Sequence, residues 1–179
     1  MIRDIKKILL TEDQISKKVK ELGSKISEDY KNKNLLVVGI LKGSVLFASD
    51  LIKSITIPCE IDFMAVSSYG SSTETSGVVR ILKDLDHSIE GKDIIIVEDI
   101  IDSGVTLDYL LKYLRTRKAN SIEIITLLTK PSRRKVDIEV KYCGFEVPDE
   151  FLVGYGLDYS ERYRNLPYVG ILSEEVYKN

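Results

Sequence analysis

The sequence predicts an α/β fold built on a mostly parallel central sheet flanked by helices, and three observations carry that prediction. Ile94-Ile95-Ile96-Val97 is too uniformly apolar for a strand with one wet face, so its sheet is covered on both sides. Leu35 to Leu41 is a second buried strand, and Ser121 to Leu128 reads as a further parallel-type strand. After the 94–97 run come a polar turn with a glycine and then Leu107, Leu110, Leu111 and Leu114, spaced as one face of a helix.

Taken in order, Thr11-Glu12-Asp13-Gln14 reads as a capping box, with Thr11 as N-cap and Gln14 three residues on. Ile15, Val19, Leu22 and Ile26 then mark an amphipathic structural helix ending near Asn32-Lys33-Asn34. The Leu35 to Leu41 strand runs into Lys42-Gly43-Ser44 and an apolar helix from Val45 to about Ile55. Cys59 to Ser67 alternates in part, through Ile61, Phe63 and Ala65, and is expected to be a strand. The polar, glycine-bounded stretch from Ser68 to Gly77 reads from composition as a loop, with Val78 to Leu82 returning as a strand. Asp84 to Gly91 is a turn region, and its His87 receives no role. The aromatic, turn-rich stretch from Tyr142 to Val176 is expected to form a small sheet of short strands closing the domain.

A length of 179 residues suits one domain, since a domain of this size buries about 70% of its unfolded surface. Hydrophobic residues at 44% and charged residues at 30% are ordinary for a soluble globular chain, and a net charge of -2 gives no support to nucleic-acid binding. Met1 to Leu10 carries Arg3, Asp4, Lys6 and Lys7, so neither a signal peptide nor a membrane span is expected there. Cys59 and Cys143 have no metal-type spacing and His87 stands alone, which argues against zinc, a disulfide framework or a histidine-dependent triad. A reducing cytoplasm is the expected compartment.

The chemistry concentrates after the Ile94 to Val97 run, at Glu98-Asp99-Ile100-Ile101-Asp102-Ser103-Gly104-Val105-Thr106. Asp102, Ser103 and Thr106 are residue types that cap helix starts, and Gly104 permits a close backbone path. Such a turn aims N–H groups at one point beside the positive end of a helix, a site for a phosphate. Three acids in the same place would repel a bare phosphate. The conflict resolves if the ligand also carries hydroxyls or a divalent cation that Glu98 and Asp99 hold, as a sugar phosphate does. The alternative is acidic residues placed only to complement a helix dipole. Lys42-Gly43-Ser44 is likewise either an ordinary strand-to-helix turn or a second anion site. The cluster Ser132-Arg133-Arg134-Lys135 reads as a solvated face, whereas Lys130 sits at the carboxyl end of a buried strand, where open α/β sheets bind ligands.

The run Val97-Glu98-Asp99-Ile100-Ile101-Asp102-Ser103-Gly104-Val105-Thr106-Leu107 resembles the signature with which type I phosphoribosyltransferases bind phosphoribosyl pyrophosphate, and looks most like their hypoxanthine-guanine branch. The resemblance extends along most of the chain. It implies the type I phosphoribosyltransferase fold in a single domain, 1–179. The core would span about 10–140, and a small hood would come mainly from 141–179 with part of the N-terminus. The implied reaction transfers the phosphoribosyl group to N-9 of a 6-oxopurine, giving IMP or GMP and pyrophosphate.

What the resemblance implies for individual residues follows the same motifs. Ser103, Gly104, Val105 and Thr106 match the 5′-phosphate cradle, and Glu98 and Asp99 the ribose contacts, made directly or through Mg2+. Asp102 matches the proposed general base at the purine N-7. Leu41, Lys42 and Gly43 match a pyrophosphate loop that often has an unusual peptide geometry, and Arg164 a further pyrophosphate contact. Ser68 and Tyr69 match the contact pair of a mobile lid that keeps water from a cation-like ribosyl centre. Lys130 matches the donor to the purine O-6, which disfavours the 6-amino group of adenine. Phe151 matches the ring that stacks on the base, Leu152 a backbone contact to the base edge, and Asp158 a carboxylate beside the base on a second Mg2+. The implied partners are phosphoribosyl pyrophosphate and a 6-oxopurine, with no nucleic acid and no membrane, and the family usually assembles as dimers or tetramers. Two alternatives stay open: a xanthine-preferring transferase, and a non-catalytic regulatory protein binding nucleotides or RNA on the same fold.

Overall fold

The computed structural model describes residues 2–68 and 79–178. The N-terminal strand β1 (Ile5–Leu10) leads into α1 (Glu12–Asp29), which starts as the sequence predicts. Thr11 accepts from the Gln14 N–H and Gln14 accepts from the Thr11 N–H, closing a capping box. Ile15, Val19, Leu22 and Ile26 are all buried along one face. Next come β2 (Leu35–Leu41), α2 (Val45–Ser54), β3 (Glu60–Ser68), β4 (Val79–Lys83), β5 (Asp93–Ile101) and α3 (Val105–Arg115). The chain continues through β6 (Ser121–Thr129), β7 (Tyr142–Glu146), β8 (Leu152–Val153), β9 (Val169–Leu172) and the short α4 (Glu174–Tyr177).

Six strands form one sheet in the order β4-β3-β2-β5-β6-β7, parallel except where β4 runs antiparallel to β3. Val37, Ile95 and Val97 on one face pack under α1 and α2 with Phe47 and Leu51, while Val38, Ile94 and Ile96 on the other pack under α3 with its four predicted leucines. Burying each of those leucines stabilises the fold by about 1.5–3 kcal/mol, enough to fix α3 against the sheet. A second sheet, β1-β9-β8, is antiparallel and carries its own buried cluster around Val153, Tyr163, Leu166 and Leu172. Among the described residues no helix is long and apolar enough to cross a membrane.

One expectation needs correction. Tyr142–Glu146 does not belong to the small closing sheet; it pairs parallel to β6 at the edge of the large one. The strand expected from the partial alternation of Ile61, Phe63 and Ala65 forms as β3, with Phe63 partly buried against the core. Ile61 stays 53% exposed and Met64, on the other face, is fully buried. With only β4 beyond it, β3 lies close to the sheet edge, where helix cover runs out on one side.

Candidate active site

The parallel strands β2, β5 and β6 end side by side, and each delivers one segment to the same rim. β2 delivers Lys42 and Gly43 across a cis Leu41–Lys42 peptide. β5 delivers Asp102 to Gly104, and β6 delivers Lys130, whose N–H donates to the Ile101 carbonyl at 3.0 Å. The loops on either side of β8 come down on this rim from the small sheet. Gly156, at φ +100°, leaves no room for a Cβ against the Gly43 carbonyl, and Gly43 leaves none against the Asp99 carboxylate. These close approaches stack hood loop, β2 turn and β5 carboxylate directly on one another.

Two clefts open along the rim. The larger, about 520 Å³, is walled by Asp99, Asp102, Lys130, Phe151, Leu152 and Asp158, together with Arg133, Asp149 and Tyr177. The smaller, about 240 Å³, is walled by Glu98, Asp102, Ser103, Gly104 and Thr106. Asp102 borders both. Val105 is not part of either wall.

Lys130 is 5% exposed and its ammonium donates to the Glu150 carbonyl at 2.8 Å, 3.6 Å from Asp102 Oδ1 and 3.9 Å from Asp149 Oδ1. Asp102 Oδ1 is shielded from water and has no hydrogen-bond partner. A shielded acceptor of this kind is costly unless a ligand supplies the donor. The Phe151 ring stacks on Tyr177 with centroids 5.0 Å apart and meets the edge of Tyr159.

At the start of α3 the capping differs from expectation. Gly104 is the N-cap, at φ +79°, and no side chain caps the helix. Ser103 Oγ accepts from the Val105 N–H at a long 3.4 Å. The left-handed turn favours glycine, and neither Asp102 nor Thr106 caps the start of α3.

Asp99 lines the larger cleft and Glu98 the smaller. Successive side chains of a strand point to opposite faces, and β5 is still a strand at both positions. Burial raises the Glu98 carboxyl well above the usual range, with the Asp99 charge adding to it. Burial likewise pushes Asp99 up to about 6, against hydrogen bonds and Arg164 pulling it down, with the Asp158 charge adding to the rise. Among the described residues no three His, Cys, Asp or Glu side chains gather as a metal-binding group.

On the hood side, Lys42 Nζ pairs with Glu161 at 2.9 Å, and Arg164 pairs with Asp158 at 2.9 Å while donating to the Gly156 carbonyl at 2.7 Å. Ser68 closes β3, while Tyr69 and the rest of the expected lid lie outside the described residues.

Sequence reading missed Arg133, Asp149, Tyr177 and Glu161. Arg133 is not merely a solvated cation, because its Nε holds Asp149 at 2.7 Å on the wall of the larger cleft. No local pattern marks these four residues; chain folding alone brings them to the rim.

A family model, the phosphoribosyl transferase domain, matches residues 7–160. The chain is 59% identical over 179 residues to the hypoxanthine-guanine phosphoribosyltransferase of Bacillus subtilis strain 168, covering all of this chain and 99% of that one. The chain belongs to the hypoxanthine-guanine phosphoribosyltransferase family. A solved hypoxanthine phosphoribosyltransferase from Staphylococcus aureus superposes with a TM-score of 0.97 at 57% identity, over 100% of this chain and 97% of that one. A solved hypoxanthine-guanine phosphoribosyltransferase from Bacillus anthracis, with a HEPES molecule in its active site, superposes with a TM-score of 0.90 at 49% identity, over 94% and 99%. The fold class and the family drawn from the Val97 to Leu107 motif are both borne out.

Proposed function

We infer that the chain transfers the 5-phosphoribosyl group from phosphoribosyl pyrophosphate to N-9 of hypoxanthine or guanine, releasing IMP or GMP and pyrophosphate in purine salvage. The observation that carries this reading at the level of the site is the larger cleft. In it a buried cation, Lys130, lies 3.6 Å from the carboxylate of Asp102, whose Oδ1 has no hydrogen-bond partner, beside the aromatic ring of Phe151.

The residue roles follow from that arrangement. Lys130 carries three donor hydrogens and spends one on the Glu150 carbonyl, leaving donors for the purine O-6. Adenine presents an amino donor there and would leave the buried ammonium facing another donor. Asp102 Oδ1 accepts the N-7 proton of the base as N-9 attacks C1′. The new N-9–C1′ bond forms as the C1′–O bond to pyrophosphate breaks, and the leaving group takes the electron pair. Whether the N-7 proton is transferred or shared, the carboxylate neutralises positive charge building on the base. Phe151 stacks on the base and the Leu152 backbone meets its edge. Ser103, Gly104, Val105 and Thr106 hold the 5′-phosphate at the open start of α3, and Glu98 and Asp99 reach the ribose hydroxyls from its two sides. Leu41, Lys42, Gly43 and Arg164 hold the pyrophosphate, and Ser68 and Tyr69 belong to the lid.

Mg2+ fits the donor chemistry. Asp99 and Asp158 are hard oxygen donors from facing elements, and the raised Asp99 pKa marks a charge that a cation would stabilise. Such an ion takes one or two carboxylates and fills its octahedron with water and phosphate oxygens, so the lack of a three-residue cluster among the described residues is no obstacle. When bound, Mg2+ neutralises charge developing on the leaving pyrophosphate.

We further read the chain as a single domain, with the six-stranded sheet as core and the three-stranded sheet as hood. A homodimer or homotetramer is the proposed assembly, supported by Ile61 and Leu82, which stay exposed on β3 and β4. The cytoplasm is the proposed compartment, supported by two free cysteines. Incubation with phosphoribosyl pyrophosphate, Mg2+ and hypoxanthine should yield IMP by chromatography. No nucleotide from hypoxanthine or guanine would refute the reading.

A further inference from the structure

Glu161 sits in the turn between β8 and β9 with a left-handed backbone, φ 62°, held by its N–H donating to Asp158 Oδ2 at 2.9 Å. Its carboxylate spans two cations. Oε2 lies 2.9 Å from Lys42 Nζ, and Oε1 lies 3.3 Å from Arg164 Nη2. Lys42 comes from the end of β2 and Arg164 from the hood, so they face each other across the gap that Glu161 fills. They are also the two cations read above as pyrophosphate contacts, and the inference rests on that reading.

We propose that Glu161 is a built-in stand-in for pyrophosphate, bridging Lys42 and Arg164 and yielding them when the pyrophosphate group arrives. The geometry has the form such a competitor needs. One anionic oxygen meets each cation, as two oxygens of a pyrophosphate would. Lys42 and Glu161 are 67% and 64% exposed, so the contact is weak and reversible, not a buried lock. Asp158 keeps Arg164 partly neutralised at 2.9 Å, so displacing Glu161 frees Arg164 only in part, while among the described residues it takes away the ion-pair partner of Lys42. The consequence falls on release. After transfer, pyrophosphate must leave two cations, and a tethered carboxylate returning to them lowers its affinity and shortens its stay.

The test measures pyrophosphate binding, with Mg2+ present, by calorimetry on the full chain and on Glu161→Gln and Lys42→Ala. Exposed ion pairs are weak, so Glu161→Gln should bind pyrophosphate only about two- to fivefold tighter. That gain should fade at about 1 M salt as screening weakens the wild-type contact. KM for phosphoribosyl pyrophosphate should fall with it, while affinity for IMP, which lacks the pyrophosphate, should not move. A merely structural Glu161 would not tighten one ligand selectively. Unchanged or weaker pyrophosphate binding in Glu161→Gln, with Lys42→Ala weakened, would overturn the role of Glu161 and leave the site reading standing. Unchanged binding in Lys42→Ala would overturn the pyrophosphate reading itself, and the stand-in with it.

Discussion

Asp99 is buried where its charge costs stability, and replacing it should show how much. Its carboxyl rises from an ordinary 3.8 to about 6, first because of burial. The gap corresponds to about 3 kcal/mol of preference for the neutral form. Because the folded value lies above the unfolded one, the native state binds more protons in this window. Stability from the neutral form is therefore complete below about pH 4 and is lost as pH rises through about 6. Asp99→Asn keeps the acceptor for the Ile100 N–H, a 2.8 Å hydrogen bond, and removes the charge. Since the side chain keeps some solvent contact, the expected gain at pH 8 is about 1–3 kcal/mol, a rise of about 2–10 °C in Tm for a chain of this size. At pH 4 the gain should vanish. Urea unfolding at both pH values, with chelator and no ligand, measures it, and transfer activity should fall in the same variant. A variant less stable than the parent at pH 8, or equally stabilised at pH 4, would refute the burial argument.

Two further substitutions test the cleft. Lys130→Met removes a hydrogen bond from a charged donor, an effect of about 1.5–3 kcal/mol, so kcat/KM for hypoxanthine and guanine should fall about 10- to 150-fold. KM for phosphoribosyl pyrophosphate should change less than about twofold, and normal kinetics with both bases would sink the specificity argument. Asp102→Asn should lower kcat by about 100-fold or more, a loss typical of removing proton handling, with little rise in KM for phosphoribosyl pyrophosphate. Unchanged turnover would remove Asp102 from the chemistry.

Much of this was legible because local chemistry and tertiary structure agree. The Thr11–Gln14 box starts α1 as its side chains dictate, and the apolar runs at β2, β5 and β6 become strands buried on both faces. Other features are set by packing that no local pattern carries. β7 reads as a hood strand because an edge strand is short and half exposed. Glu98 and Asp99 are neighbours in sequence, and the strand sends one to each cleft, a division their residue types do not announce. Gly104 takes the cap position from better capping residues because its left-handed turn lies close under Ile138, whose Cδ1 would be 2.8 Å from a Cβ. Glu161 and Arg133 acquire their roles only when loops distant in sequence meet at the rim.

The central claim is that the rim selects a 6-oxopurine for phosphoribosyl transfer. Its most direct test is pyrophosphate release from phosphoribosyl pyrophosphate with Mg2+, with hypoxanthine, guanine, xanthine, adenine and uracil offered separately. The account predicts turnover with hypoxanthine and guanine and none with adenine or uracil, and the xanthine rate fixes the subclass. Release with adenine matching that with hypoxanthine, or tight phosphoribosyl pyrophosphate binding without turnover on any base, would contradict it.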